Sequence, residues 1–176
     1  MNSIESHLNS WFDKPSVFQT QQRRVQKFHE SHLELINDAR GSNTKHHSWT
    51  GGYRDHIEQC LDLAFSLVEQ YNFGFYPKSV FLVLYFHDIE KIFKYSVLPR
   101  NQEEAKLAIE DKDKYYNQFL PQKYKIAFTS EEKNALKYIH GEGDDYGSEK
   151  IMNSLAGLCH ACDTMSARCF FSARKI

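Results

Sequence analysis

Residues 79–86 read SVFLVLYF and run directly into HDIEKIFKY with no turn residue between them. A run this apolar is buried on every side, and composition alone does not separate a buried strand from a buried helix. Its continuation past the apolar stretch favours one long helix over 78–94. That helix then carries an ionisable pair, His87 and Asp88, at the end of a buried segment. Neither group is stable there without a compensating partner. The rest of the chain must therefore build a core around this segment and supply something to meet its polar end.

The flanking sequence repeats a helical pattern. Val25, Phe28, His32, Leu35 and Ile36 stand at i, i+3, i+4 spacing within 20–39, and Ile57, Cys60, Leu61, Ala64, Leu67 and Val68 do the same within 53–71. Between them lies a polar break, GSNTKHHSWTGG, at 41–52, whose Gly51-Gly52 implies a close approach of the chain to something else. NFGFYP ends the second helix, and Pro77 suits the first turn of the next. Further helices are expected at 103–119, at 149–172 and at 130–140, the last with Ser130 as N-cap and Glu131 and Glu132 in its first turn. Strand-type alternation with hairpin turns is absent. The expected fold is all-α, one compact domain over 1–176 built from about six helices.

Composition narrows the partners. Net charge is −1, with Lys and Arg spread along the chain, whereas a dedicated duplex binder carries a basic surplus to neutralise phosphates. A small anion is thus a better-matched partner than long nucleic acid. Aromatics, at 14%, are plentiful enough to line a cleft as well as a core. There is no apolar run of membrane-spanning length, and the N-terminal MNSIESHLNSWFDK lacks the pattern of a secretory signal. A cytoplasmic protein is expected. Cys159 and Cys162 have CxxC spacing, but no second pair exists to complete a zinc site, and their apolar helical context reads as small buried hydrophobes. Phe170-Phe171 suits either core or a homo-oligomer interface.

Nine histidines are many for this length. His7, His29 and His32 lie in a polar N-terminal region and read as solvated surface residues. His56 falls in the first turn of an amphipathic helix, and Asp163 stands among Leu155, Leu158, Ala161 and Met165 on another. With His87-Asp88, three helices each offer a buried-type ligand, a common way for helical bundles to build metal sites. Neutral imidazole and ionised carboxylate are natural ligands of a divalent cation.

The order His56, His87-Asp88, Asp163 resembles that of the HD superfamily of metal-dependent phosphohydrolases. HHSWTGGYRDHIEQCLDLA is similar to the HHxxxGGLLEH stretch of bacterial members, FHDIEKIFKY looks like their LHDIGK segment, and HACDTMSAR resembles their closing helix with its HxxD. The similarity spans 44–172 and leaves 1–43 as an N-terminal helical extension. It implies an HD-like bundle in which His56, His87, Asp88 and Asp163 hold a divalent metal (Mn, Mg, Co, Ni, Fe or Zn). It also implies a small nucleotide as substrate, a (deoxy)nucleotide such as a dNTP or dNMP, with a phosphoester or phosphoanhydride bond cleaved. Two departures stand out: Glu90 replaces the usual glycine, and Lys91 occupies the place where some nucleotidases of the superfamily carry a catalytic glutamate.

Two imidazoles and two carboxylates leave an octahedral ion two open positions, suited to one water and one phosphoryl oxygen. Asp88 combines ligation with contact to the water, and Lys91, one turn on, can face the same cleft and neutralise phosphate charge. His140, before the loop GEGDDYG, is expected to bind phosphate, give a proton to the leaving group or hold a second metal. Of His46 and His47, one contacts phosphate or orients the ligands, Trp49 stacks on a base, and Arg168 shares the side of Asp163. His160, one turn before Asp163, is either a supporting residue or a buried helix-interface group. The competing readings are a nuclease or cyclic-nucleotide phosphodiesterase, and a non-catalytic nucleotide sensor.

Overall fold

A computed structural model describes residues 2–10 and 19–172. Residues 1, 11–18 and 173–176, which include both ends of the expected domain and part of its N-terminal extension, lie outside the described residues. Among the described residues all regular structure is helical: α1 (Ile4–Ser10), α2 (Gln19–Asp38), α3 (Gly52–Tyr71), α4 (Pro77–Phe86), α5 (Glu90–Tyr95), α6 (Gln102–Glu110), α7 (Lys112–Lys114), a π-helical segment (Tyr115–Tyr124), α8 (Ser130–Tyr138), a 3₁₀ turn (Gly143–Asp145) and α9 (Ser154–Cys169). The all-α expectation holds, with more and shorter elements than the six foreseen.

The core is one cluster centred on α4, whose Val80 through Phe86 are all buried. Helices α3, α8 and α9 pack around α4, and α9 lies between α3 and α8. Ile4 and Leu8 of α1, and Val25, Phe28, Leu35 and Ile36 of α2, belong to the same cluster, so 2–10 and 19–38 complete the core instead of extending from it. His7, His29 and His32 are buried there, not solvated. Each has a polar partner that makes burial tolerable: His7 meets Asp62 at 3.0 Å, His29 meets Tyr85 at 3.0 Å and Glu5 at 3.2 Å, and His32 meets the Phe28 carbonyl at 2.9 Å.

The expected single helix over 78–94 breaks at 87–89, and the cause is side-chain competition for its carbonyls. The Leu84 carbonyl, which a continuing helix would pair with the Asp88 N–H, accepts instead from His87 Nδ1 at 2.8 Å. The Tyr85 carbonyl accepts from the Tyr53 hydroxyl at 3.2 Å and the Phe86 carbonyl from the Tyr116 hydroxyl at 2.7 Å. Backbone bonds there shorten to i−3, with Ile89 N–H on Phe86, Lys91 on Asp88 and Ile92 on Ile89. The helix end is thus satisfied from outside, and the chain turns at the dipeptide.

Other boundaries also move. The helix expected at 103–119 stops at Glu110, where Asp111 leaves helical dihedrals and uses its side chain to cap Lys114 N–H at 2.9 Å. The following turn is π-helical and contains Pro121, which has no N–H to give to a regular α ladder. The N-cap of α8 is Thr129, not Ser130: its hydroxyl accepts from Glu132 N–H at 3.2 Å while the Glu132 carboxylate accepts from Thr129 N–H at 2.8 Å. Helix α9 starts at Ser154 behind Asn153, later than the expected 149. No helix among the described residues is long and apolar enough to cross a membrane.

Candidate metal centre

The loop before α3 fixes where His56 begins. Gly51 has φ +80°, and a Cβ on Gly52 would lie 2.0 Å from the His47 carbonyl oxygen, so the chain passes His47 more closely than any side chain allows. Gly41 N–H donates to the His47 carbonyl at 2.8 Å, and Tyr53 N–H closes onto Ala39 at 3.1 Å. The close approach implied by Gly51-Gly52 is therefore made to His47. His56 follows on the buried face of α3, facing α9.

His56 (α3), His87 and Asp88 (the α4–α5 turn) and Asp163 (α9) converge. One ligand atom from each lies within 4.8 Å of all the others, and the group could hold a metal ion. His56 Nε2 is 3.1 Å from Asp163 Oδ1 and 3.7 Å from Asp88 Oδ2, and His87 Nε2 is 3.5 and 3.3 Å from the same two atoms. His56, His87 and Asp88 are buried and Asp163 nearly so.

The tautomers follow from the partners. His87 Nδ1 faces a carbonyl, so it must carry the hydrogen, leaving Nε2 as a bare lone pair in the neutral ring. That Nε2 is buried, and neither carboxylate is aligned to hydrogen-bond with it. His56 Nδ1 lies 2.9 Å from Ser166 Oγ, and the Ser166 hydroxyl donates to Gln59 Oε1 at 3.0 Å. With that hydroxyl committed to Gln59, His56 Nδ1–H donates to Ser166 in the tautomer whose Nε2 lone pair faces the carboxylates, the one a metal ligand needs. Gln59 Oε1 also accepts from His47 Nε2–H at 2.8 Å, which leaves His47 Nδ1 to accept from His46 Nδ1–H at 3.0 Å. A chain Ser166–Gln59–His47–His46 thus braces the cluster from behind. Outer partners of this kind orient ligands and raise their basicity.

The electrostatics ask for positive charge at this spot. His87 is buried, which works against a proton, but Asp88 and Asp163 outweigh burial and push the ring up to about 10. His56 moves the other way, down to about 4, because burial dominates over the raising effect of the nearby Asp163 carboxylate. Asp88 and Asp163 are held well below the usual carboxylate range: burial opposes this, but His87 and His140 prevail at Asp88, and His140, His56 and His87 at Asp163. Two imidazole Nε2 atoms, one of them (His87) with no hydrogen-bond partner, and two ionised carboxylates make a donor set that fits a divalent cation.

Lys91 meets Asp88 Oδ2 at 2.5 Å, as the i+3 spacing led one to expect. Burial lowers its pKa, yet Asp88 raises it further, so it stays charged. His140, half exposed, bridges both acids, with Nε2 3.5 Å from Asp88 Oδ1 and Nδ1 3.3 Å from Asp163 Oδ2. Those bonds outweigh burial and raise its pKa. His46 is half-buried and lies beside His56, with ring centroids 5.1 Å apart, and burial with the neighbouring His56 pushes it down to about 4. His47 is sealed from solvent, so of the two roles expected for this pair it can take only the supporting one.

Trp49 donates its indole N–H to Asp55 at 2.8 Å and packs on His47, which fixes its ring against the loop. Arg168 is exposed and stands five residues after Asp163, about 140° round the helix from it, so the two do not share a side. His160 donates to the Ile139 carbonyl at 2.6 Å, tying α9 to the end of α8. Cys159 and Cys162 are buried free thiols, as read from their context. Ser166 and Gln59 were not singled out in the sequence. Each stands three residues after a ligand, Asp163 and His56, and a polar residue at that spacing on a buried face was the available signal. Comparison with protein-family models, curated proteins and solved structures gives no match for this chain.

Proposed function

We propose that this chain is a metal-dependent phosphohydrolase that cleaves a phosphoester or phosphoanhydride bond in a small nucleotide, such as a deoxynucleoside tri- or monophosphate. The observation that carries the reading is the buried, unpartnered His87 Nε2 aimed between two carboxylates held below their ordinary range. His56, His87, Asp88 and Asp163 would hold the metal, which when bound supplies Lewis acidity and a more acidic water. The remaining groups match the needs of phosphoryl transfer to water. Lys91 is a partly buried cation at the site edge whose charge Asp88 sustains, suited to phosphoryl oxygens. His140 has its pKa raised by its contacts with Asp163 and Asp88 and is half exposed, so it can meet a substrate and pass a proton to the leaving oxygen. In the net reaction the water oxygen joins phosphorus and the bond to the leaving oxygen breaks. One water hydrogen stays on the product phosphate, and the other replaces the proton that His140 gave.

The decisive experiment incubates the purified chain, loaded in turn with Mn²⁺, Mg²⁺ and Co²⁺, with a panel of nucleotides and resolves phosphate, pyrophosphate and triphosphate products. Turnover that disappears in Asp88→Ala is the expected result. Nucleotide binding with no hydrolysis under any of the three metals overturns the enzyme reading in favour of a sensor.

A further inference from the structure

His87 and His140 face two ways. On one side they meet the carboxylates, and on the other they form a wall of a cavity of about 490 Å³ between the Lys112–Tyr124 stretch and α8. That volume is in the range of small-ligand sites. Its apolar wall is Tyr116 and Leu136. Tyr116 commits its hydroxyl to the Phe86 carbonyl, so it offers ring carbon and no donor. Charge is concentrated in three lysines, Lys112, Lys133 and Lys137, against one lining acid, Asp113.

Two of those lysines are paired. Lys112 meets Glu90, only 15% exposed, at 2.8 Å, and Lys137 meets Asp145 at 2.8 Å and the Tyr138 hydroxyl at 2.7 Å. Lys133 forms no ion pair among the described residues. Lys133 and Lys137 also stand four residues apart on one face of α8, a spacing at which like charges destabilise a helix. An anion lying between them turns that repulsion into attraction. The arrangement is an apolar slot with a cationic rim, walled on one side by His87 and His140 of the proposed reaction site.

We infer that this cavity receives the part of the substrate beyond the scissile phosphoryl group, and that this part is an organic body bearing at least one further anionic group. The inference rests on the phosphohydrolase reading and narrows it, because a nucleoside triphosphate meets the description and a nucleoside monophosphate does not. The rim lysines then set preference among phosphate compounds.

Two arms test this. In the first, kcat/KM is measured with Mn²⁺ for the four deoxynucleoside triphosphates, the matching monophosphates and p-nitrophenyl phosphate. The triphosphates are expected to be preferred, and a Lys133→Glu, Lys137→Glu double variant should lower the triphosphate to p-nitrophenyl phosphate ratio at least about tenfold, the worth of one lost charge-assisted bond. An equal loss on all substrates, or none, overturns the inference.

In the second arm, binding of the same triphosphates and of inorganic tripolyphosphate is measured by calorimetry in metal-free Asp88→Ala protein, where no turnover is involved. Triphosphate binding that weakens about tenfold with the lysine changes supports the cavity even if the chain hydrolyses nothing. Binding indifferent to the lysines, or no binding at millimolar ligand, overturns it even if the chain is a hydrolase. Tripolyphosphate bound as tightly as a nucleotide removes the organic body from the proposal.

Discussion

Ser166 touches no substrate in this reading, yet its hydroxyl decides which nitrogen of His56 is bare. Replacing it with alanine leaves His56 Nδ1–H without an acceptor in a buried place and frees the ring to adopt the other tautomer. Ser166→Ala is expected to weaken Mn²⁺ binding by about 10–100-fold, read by calorimetry on protein stripped with chelator. Removal of a ligand is more severe: Asp88→Ala should leave no measurable site. If Ser166→Ala binds the ion as well as the parent does, the bracing chain is ornamental and His56 is oriented by packing alone.

Much of this scale was readable in the sequence. His56, His87, Asp88 and Asp163 are ionisable residues set at the ends or on the faces of apolar helices, and that setting, together with the resemblance of their flanking segments, is what pointed to them. Lys91 was readable from its i+3 spacing alone. His29 and His32 were not, because a histidine among charged residues reads as surface until its partners, here Tyr85 and Glu5 for one ring and Phe28 for the other, are known. Arg168 failed for a simpler reason, the angle that five helical steps subtend.

Among elements, the turn at 87–89 matters most. The sequence favours a continuous helix because no turn residue interrupts the run from the apolar stretch into HDIEKIFKY. What ends it are hydroxyls from Tyr53 and Tyr116, distant in sequence and invisible to local propensity. The same limit hid the π-helical segment and the exact start of α9. The loop before α3 was more legible, since two adjacent glycines already implied a close passage. Gly52→Ala should cost about 1–3 kcal/mol in urea unfolding, because the new methyl meets the His47 carbonyl and the loop must move. The same variant should also lose metal affinity, since His47 carries the brace behind His56. Unchanged stability would mean the loop relaxes freely.

For the molecule as a whole, candidate ligands drawn from three separate stretches would make ion binding a folding term. Saturating Mn²⁺ at about 100 times its dissociation constant adds about 2.7 kcal/mol, which for a chain of this size raises Tm by about 5–10 °C, and Asp88→Ala should abolish the shift. Acid acts in the opposite sense. Burial lowers the pKa of His29 below 6.5, although its Glu5 partner works against this, so the unfolded chain binds that proton more readily than the folded one. Its contribution is fully present above about pH 6.5 and is lost as pH falls towards the folded value. Metal-free protein should therefore lose stability below pH 6.5, with a shallower slope in His29→Gln. An identical slope in the variant removes His29 from the account.

The convergence of α3, the α4–α5 turn and α9 has a kinetic consequence. Because α9 supplies Asp163 as well as Ser166, an ion seated among these ligands would tie α9 to α3, so that α9 could swing away, a sub-global opening of the bundle, only as a ligand bond breaks. That opening would then be slower and more strongly temperature-dependent with the ion bound than without it. Amide hydrogens on all three elements would become protected together, as one unit, when the ion arrives.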